Sequence, residues 1–376
     1  MSDLEINTRS NAQPQKRALT SIPMRMIRRI SAHLYTMFSG FLGPQFPPQR
    51  SELRIEIPDP EFGVLPLYAH EYQSDNLAET MSKLDASSER NRERIAHKEA
   101  PQKLCVLVHG LASTPNSRYL APYVHQGLDS GYDVIALALR GSVGEGVAHY
   151  HAGLTADVRE LLASERCARY DEVILIGFSL GGQVVLRCAY EGIDPRVKSV
   201  GAVCPPIDLG VVQRHLDRPG QTIYRRFLLA GLKTAYLKIW DNADRSGTPL
   251  EADLDRVLKV QTIYGWDEHV VLPRFGFESV LSYQRQFSMS AEQLSQLTIP
   301  SYLVFSRFDP VVPLQEIKHH IEPLFTTKDE RSTGHSQAQA KVVEAGGHIR
   351  FPGRVDLNID LPPSGMPHQL FAWMRV

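Results

Sequence analysis

The earliest strong pattern of apolar and polar positions lies before residue 50. Met26, Ile27, Ile30, Leu34, Met37, Phe38 and Phe41 recur at three- and four-residue steps, with Arg25, Arg28, Arg29 and His33 between them. That is the period of a basic amphipathic helix. Gly40, Gly43 and Pro44 end it well short of the ~20 apolar residues that a spanning helix needs. A secretory signal fits poorly, because the apolar part starts late, is interrupted by charge and lacks a small-residue cleavage site. The pattern predicts a helix packed on its own domain, with docking on a membrane surface through residues 24–42 as the alternative. Residues 1–20 are polar and aperiodic and read as a flexible tail. The segment 21–48 is then the basic amphipathic stretch, and 49–376 one folded domain.

From residue 52 the period changes. Apolar runs alternate with amphipathic stretches, the rhythm of βαβ units and a mostly parallel sheet flanked by helices. Glu52–Ile57 and Val64–Glu71 read as a strand pair turning through Pro58, Pro60 and Gly63. Leu104–Val108, Tyr132–Leu139, Val173–Ile176, Val200–Val203, Tyr302–Phe305 and Lys341–Glu344 read as strands, most of them buried apolar runs. Leu154–Ala168 and Gln183–Tyr190 read as helices. Between Asp208 and Leu297 strand signals fade and helical ones dominate, which predicts a helical cap inserted into the sheet domain. The charged stretch 73–102 reads as a surface insertion.

Composition then narrows the chemistry. Hydrophobic residues are 43% and charged residues 22% of the 376, ordinary for a folded protein, so wholesale disorder is excluded. A formal charge of −1 supplies no broad basic field, so nucleic acid is not expected as a partner. Cys105, Cys167, Cys188 and Cys204 stand singly with no C-x-x-C pair, which indicates neither a disulfide framework nor a zinc site and predicts a reducing, cytoplasmic location.

The sharpest motif is Gly177-Phe178-Ser179-Leu180-Gly181. As a bare string it is weak, since chance supplies on the order of 0.1 matches in a chain of this composition. Its setting strengthens it: four apolar residues precede it and a helix follows, the strand-turn-helix context of a nucleophile elbow. The glycines let the turn strain the serine backbone without colliding with neighbouring elements. A serine hydroxyl needs a base, and the base an orienting acid. Asp309 follows the strand Tyr302–Phe305, and His348 follows Lys341–Glu344 through Gly346 and Gly347, so nucleophile, acid and base come in the chain order used on such a sheet.

Other residues compete for these roles. Asp208 also stands past a strand end and is the alternative acid. His109 precedes the nucleophile and reads as a packed loop histidine. His149 with His151, and His319 with His320, lack the i, i+4 spacing that puts two metal ligands on one helix face. The backbone N–H groups of Leu180, next after the nucleophile, and of Leu111, in the loop after Leu104–Val108, are the expected oxyanion donors.

These residues resemble the α/β-hydrolase superfamily. The matching stretches are His109-Gly110-Leu111, Arg140-Gly141, Tyr150-His151-Ala152-Gly153, the elbow, Asp267-Glu268, Gly276-Phe277 with Tyr283 and Ser288, Asp309-Pro310 and Gly346-Gly347-His348. Tyr150–Gly153 and the Asp267–Ser288 pattern are similar to the branch that holds membrane-anchored hydrolase-domain lipases, fungal medium-chain alcohol acyltransferases and bacterial proteins classed as esterases. The resemblance implies Ser179 as nucleophile, Asp309 as orienting acid and His348 as base, with no metal or organic cofactor. The chain departs from the branch in the insertions at 73–102 and 326–339, in a proline-rich segment after His348 where a longer closing helix is usual, and in lacking a spanning anchor. The expected activity is hydrolysis of a small-molecule carboxylic ester of medium-chain or lipid-like acyl groups through an acyl-enzyme. An acyltransferase to an alcohol, and a non-catalytic binding protein on the same fold, are the alternatives.

Overall fold

The runs of apolar residues become the strands of one sheet. In the computed structural model, which describes residues 24–37, 43–74, 102–325, 337–359 and 361–374, eight strands line up in the order β1-β2-β4-β3-β5-β6-β7-β8. They are β1 (Ser51–Asp59), β2 (Gly63–Tyr72), β3 (Lys103–Val108), β4 (Asp133–Ala138), β5 (Glu172–Phe178), β6 (Val197–Val203), β7 (Ser301–Ser306) and β8 (Ala338–Val343). β1 pairs with β2 and β2 with β4 antiparallel; every other pair is parallel. Strands β4 and β7 are buried along their whole length, and β3 and β5 at all but the first residue. That burial on both faces explains why they are written as unbroken apolar runs rather than alternations. The tail 1–20, nearly all of 73–102, most of 326–339, and Phe38 and Phe41 lie outside the described residues.

Local chemistry sets where the helices stop. The stretch expected as one helix over 154–168 is a helix at Ala156–Ala163 followed by a separate 3-10 turn at Glu165–Cys167. Ser164 causes the break: its backbone is extended, and its hydroxyl donates to the Leu161 carbonyl at 2.6 Å in place of continued helical bonding. A closing helix does follow the proline-rich segment, at Met366–Met374, and Leu370 and Met374 pack on Gly201 of β6, where a Cβ would come within 3.1 Å of the Met374 sulfur. Between β6 and β7 the chain is helical, led by Leu209–Leu216, Thr222–Ser246 and Val280–Phe287.

A buried ion cluster joins this helical block to the sheet. Arg140, just past β4, reaches Asp59 at the end of β1 (2.7 Å) and Asp157 (2.6 Å), and Arg274 of the helical block reaches the same Asp59 at 2.8 Å. All four side chains are almost fully buried. Burial alone would raise the Asp59 carboxyl, but the N–H groups of Phe62 and Glu61 and the two guanidinium groups outweigh it and hold it below the ordinary aspartate value. Removing one partner from such a network leaves a charge without compensation. Arg140→Met is expected to cost about 3–5 kcal/mol of stability, read as a lower midpoint in urea denaturation with the slope unchanged.

Candidate active site

Three parallel strands end at one edge of the sheet, and each hands over a polar side chain there. β5 ends at Phe178 and turns through Ser179 into the helix Leu180–Tyr190. Ser179 has φ 51° and ψ −122°, a left-handed conformation that a residue with a side chain adopts only under constraint. The two flanking glycines supply the room. A Cβ on Gly177 would lie 2.2 Å from the Gly181 carbonyl oxygen, and one on Gly181 would lie 2.2 Å from that of Val108 on β3. Gly110, in the loop after β3, passes so close that a Cβ there would stand 3.1 Å from the Cβ of Ser179.

Main-chain bonds stitch the strand ends together. The Ser179 N–H donates to Val203 of β6 (2.8 Å), the Cys204 N–H to Val304 of β7 (2.7 Å), and the Arg307 N–H to Val343 of β8 (2.9 Å). The Ser306 hydroxyl then donates to the Gly346 carbonyl at 2.8 Å. This chain of contacts sets Asp309 and His348 side by side. His348 Nδ1 is 2.8 Å from Asp309 Oδ2, while Asp309 Oδ1 accepts the N–H groups of Val311 (2.8 Å) and Val312 (3.0 Å). An ionised carboxylate only accepts, so Nδ1 carries the proton and Nε2 keeps its lone pair.

Ser179 and His348 line one cavity of about 590 Å³, with Leu111 and Leu180 on its wall. The N–H groups of these two leucines have no hydrogen-bond partner among the described residues. The loop carrying Leu111 is held by two phenols: Tyr119 Oη accepts the Gly110 N–H (2.9 Å) and Tyr150 Oη accepts the Ala112 N–H (2.9 Å). Ala112 is itself left-handed, at φ 56°.

The competing residues go elsewhere. Asp208 caps the helix Leu209–Leu216, accepting the Val211 N–H at 2.8 Å, and its other oxygen lies 3.4 Å from His320, not His348. His109 Nε2 accepts the Leu139 N–H (3.2 Å), so its Nδ1–H donates to the Gly110 carbonyl (2.8 Å), and the ring is locked as a neutral loop support. His151 Nδ1 accepts the Gly153 N–H at 3.1 Å, and its ring sits among Phe275, Phe277, Tyr283 and Phe287. Gly153 is required there, since a Cβ would stand 1.8 Å from Phe287.

Three features were not singled out as site residues from the sequence. Cys204 lies beside Asp309 and His348, its sulfur and one ligand atom of each all within 4.8 Å of one another; its place directly after β6 was the available signal. Thr36 of the N-terminal helix accepts the His348 N–H at 2.7 Å, a contact across 312 residues with no local signal. Asp267 lines the cavity at the start of a π-helical turn, and burial pushes its carboxyl up to about 8. Of the apolar positions recurring through 224–260, Tyr224, Phe227 and Leu228 line the cavity, whereas Leu229, Leu232, Tyr236 and Val257 are buried in the packing of the helical block.

With this geometry in hand, the chain can be set beside known proteins. Residues 105–354 match the alpha/beta hydrolase family. The chain is 27% identical over 339 residues to a protein of Escherichia coli (strain K12) named "Putative esterase YheT", covering 88% of this chain and 87% of that one. It is 23% identical over 256 residues to an "Abhydrolase domain-containing protein" of Dictyostelium discoideum, covering 65% and 61%. Among solved structures, an esterase of Pyrococcus furiosus superposes with a TM-score of 0.45 at 14% identity, covering 82% of this chain and 91% of that chain.

The buried histidines around the site make a prediction. Burial, the leading cause in each, holds His109 down to about 4 and His149 and His151 to about 3, against 6.5 for a free imidazole. The folded chain keeps them neutral, whereas the unfolded chain takes up protons below 6.5. Their contribution is therefore complete above that pH and lost as pH falls toward the folded values, at up to about 1.4 kcal/mol per pH unit for each ring. The raised carboxyls of Asp267 and Glu61 act in the opposite sense, but three rings outweigh two carboxyls, so urea midpoints should still drop between pH 6 and 4.5; a flat profile through that interval would show these rings charging freely in the fold.

Proposed function

The chain belongs to the alpha/beta hydrolase family, and we propose that it is a serine hydrolase cleaving carboxylic esters of medium-chain or lipid-like acyl groups. One observation carries this reading: Ser179, held on a strained elbow, and His348, hydrogen-bonded at 2.8 Å to Asp309, line the same cavity. Ser179 Oγ attacks the acyl carbonyl carbon as His348 Nε2 takes the hydroxyl proton, and Asp309 stabilises the imidazolium that forms. The carbonyl oxygen, now negative, receives the N–H groups of Leu111 and Leu180, each such donor being worth about 2.7–4 kcal/mol in the transition state. His348 then gives its proton to the departing alkoxide. Water attacks the acyl-enzyme with His348 again as base, releasing the acid and restoring Ser179. The patterns at Tyr150–Gly153 and Asp267–Ser288 support the branch of lipase-like hydrolases and alcohol acyltransferases as the setting for this chemistry. They fix a wall of the cavity, through Tyr150 on the Ala112 N–H and Tyr283 on the Ala152 N–H (3.1 Å).

A fluorophosphonate probe tests the assignment directly. It should label the wild-type chain and not Ser179→Ala; labelling that persists in the variant would sink the proposal. In Asp309→Asn the wrong imidazole tautomer is favoured, and ester turnover should fall by up to about 10⁴-fold. Asp208→Asn, whose amide oxygen can still cap the helix Leu209–Leu216, should keep near wild-type turnover.

The acyl preference rests on the cavity wall. Leu209, Val212, Leu216, Ile263, Trp266 and Val271 line a volume within the usual range of ligand sites. Each further methylene buried there should contribute up to about 0.8 kcal/mol to transition-state binding until the space is full. With p-nitrophenyl esters kept below their critical micelle concentrations, kcat/KM should climb from acetate toward medium-chain esters and then fall. A steady decline from acetate onward would mean that the enzyme takes small acyl groups.

A further inference from the structure

The N-terminal helix packs on its own domain, as expected, but through Ala32 and Thr36 and not through its apolar stripe, which it turns outward. Over Met24–Met37 only Ala32 is buried, and Ile27, Ile30, Leu34 and Met37, spaced by three and four residues, are each between 46% and 50% exposed. Ala32 stands on the far side of the helix from that stripe, so the apolar face points outward, where a packed helix would turn it to the core. Arg25, Arg28 and Arg29 lie on the other face, and the helix contains no aspartate or glutamate. Among the described residues no helix is long and apolar enough to cross a membrane.

The helix is held firmly in this attitude beside the cavity. Besides the Thr36 bond to His348, a Cβ on Gly347 would come within 2.4 Å of the Ala32 carbonyl oxygen, so the two segments touch backbone to backbone. His33 Nδ1 lies 2.6 Å from the hydroxyl of Tyr224, and Arg28 pairs with Glu344 at 3.2 Å. Next to Tyr224, the long cap helix exposes Ile223 by 65% and Phe227 by 74%. Met37, Ile223 and Phe227 also line the cavity that holds Ser179, so the outward apolar stripe runs into the rim of its mouth.

We infer that this apolar rim docks on an anionic lipid bilayer, so that the cavity opens onto the membrane surface and receives its ester from there. An outward apolar face backed by a basic polar face, on a helix too short to span, is the arrangement that lies in the headgroup layer with its apolar side down. Charge selects the occupant. A second copy seated on the stripe would bring the same acid-free helix with its Arg25 and Arg29 against itself, whereas anionic headgroups neutralise these two, Arg28 being met already by Glu344. Delivery of the ester rests on the proposed reaction at Ser179; the docking does not.

Flotation of the full chain with phosphatidylcholine vesicles, with and without phosphatidylglycerol, tests this. The wild type should float with the vesicles containing phosphatidylglycerol and be released by high salt. The combined variant Ile27→Ser, Ile30→Ser and Leu34→Ser should bind at least about tenfold more weakly while reacting with the fluorophosphonate probe in the absence of lipid at the wild-type rate. Its hydrolysis of a vesicle-borne ester should fall and that of a monomeric ester stay unchanged. A wild type that never floats, or a variant that floats equally, overturns the proposal. So does a wild-type dimer in analytical ultracentrifugation that the variant dissolves while neither floats, since a second copy would then cover the stripe. Failure of probe labelling with flotation intact would overturn the reaction at Ser179 and leave the docking standing.

Discussion

Ser179 can stand at φ 51° only because neighbouring backbone comes within about van der Waals contact where side chains would otherwise be. A Cβ at Gly177 or at Gly181 would stand 2.2 Å from a carbonyl oxygen, and no rotamer choice could relieve it, since in both cases the obstacle is main chain. The rest of the site inherits this constraint. The helix Leu180–Tyr190 must leave the sheet at the angle the elbow allows, Leu180 must line the cavity, and the loop after β3 must pass Ser179 closely enough to need Gly110. Strain of this kind costs on the order of 1–3 kcal/mol and persists only where surrounding structure over-determines it. Here the buried parallel strands on either side provide that excess of constraint.

Parallel pairing also explains why Asp309 and His348 meet. In a parallel sheet every strand delivers its following loop to the same edge, so three loops separated by many residues arrive together without any direct attraction. The bonds from Ser179 to β6, Cys204 to β7 and Arg307 to β8 carry the register past the last paired residues into the loops. Asp309 is then fixed by two N–H donors on one oxygen, leaving the other for His348. His348 is fixed from the far side by Thr36, so it is held between the sheet domain and the N-terminal helix.

The helical block above the sheet uses a different means of attachment. Arg274 spans 215 residues to reach Asp59, which Arg140 already engages, and the aromatic rings around His151 fill the space between. Burying charge is expensive, and the network offsets that cost only while every member is paired. Its return is placement: the block is anchored at one point on the sheet, and Ile263, Trp266 and Asp267 come to line the cavity.

Much of this was legible in the order of the residues. Strands buried on both faces must be apolar runs, an elbow must carry glycines two positions either side of its serine, and Asp309 and His348 follow strand ends, so the sheet and the strand-end positions of Ser179, Asp309 and His348 could be read from signals spanning a few residues each, with Asp208 left as the alternative partner of the histidine. The break in the helix at Ser164 and the closing helix at Met366–Met374 were not read, because a single hydroxyl bond marks the first and prolines mask the second. Tertiary structure alone decided which aspartate meets the histidine: Asp208 and Asp309 look alike in sequence, and only the folded chain gives one to a helix N-terminus and the other to His348. It likewise decided that Asp267 lines the cavity, that Thr36 holds His348, and that the apolar stripe of Met24–Met37 faces outward. The reason is common to all of these. Periodicity records which face of an element is apolar, but what that face or a polar atom meets depends on partners hundreds of residues away, and these are brought near only when the sheet has formed.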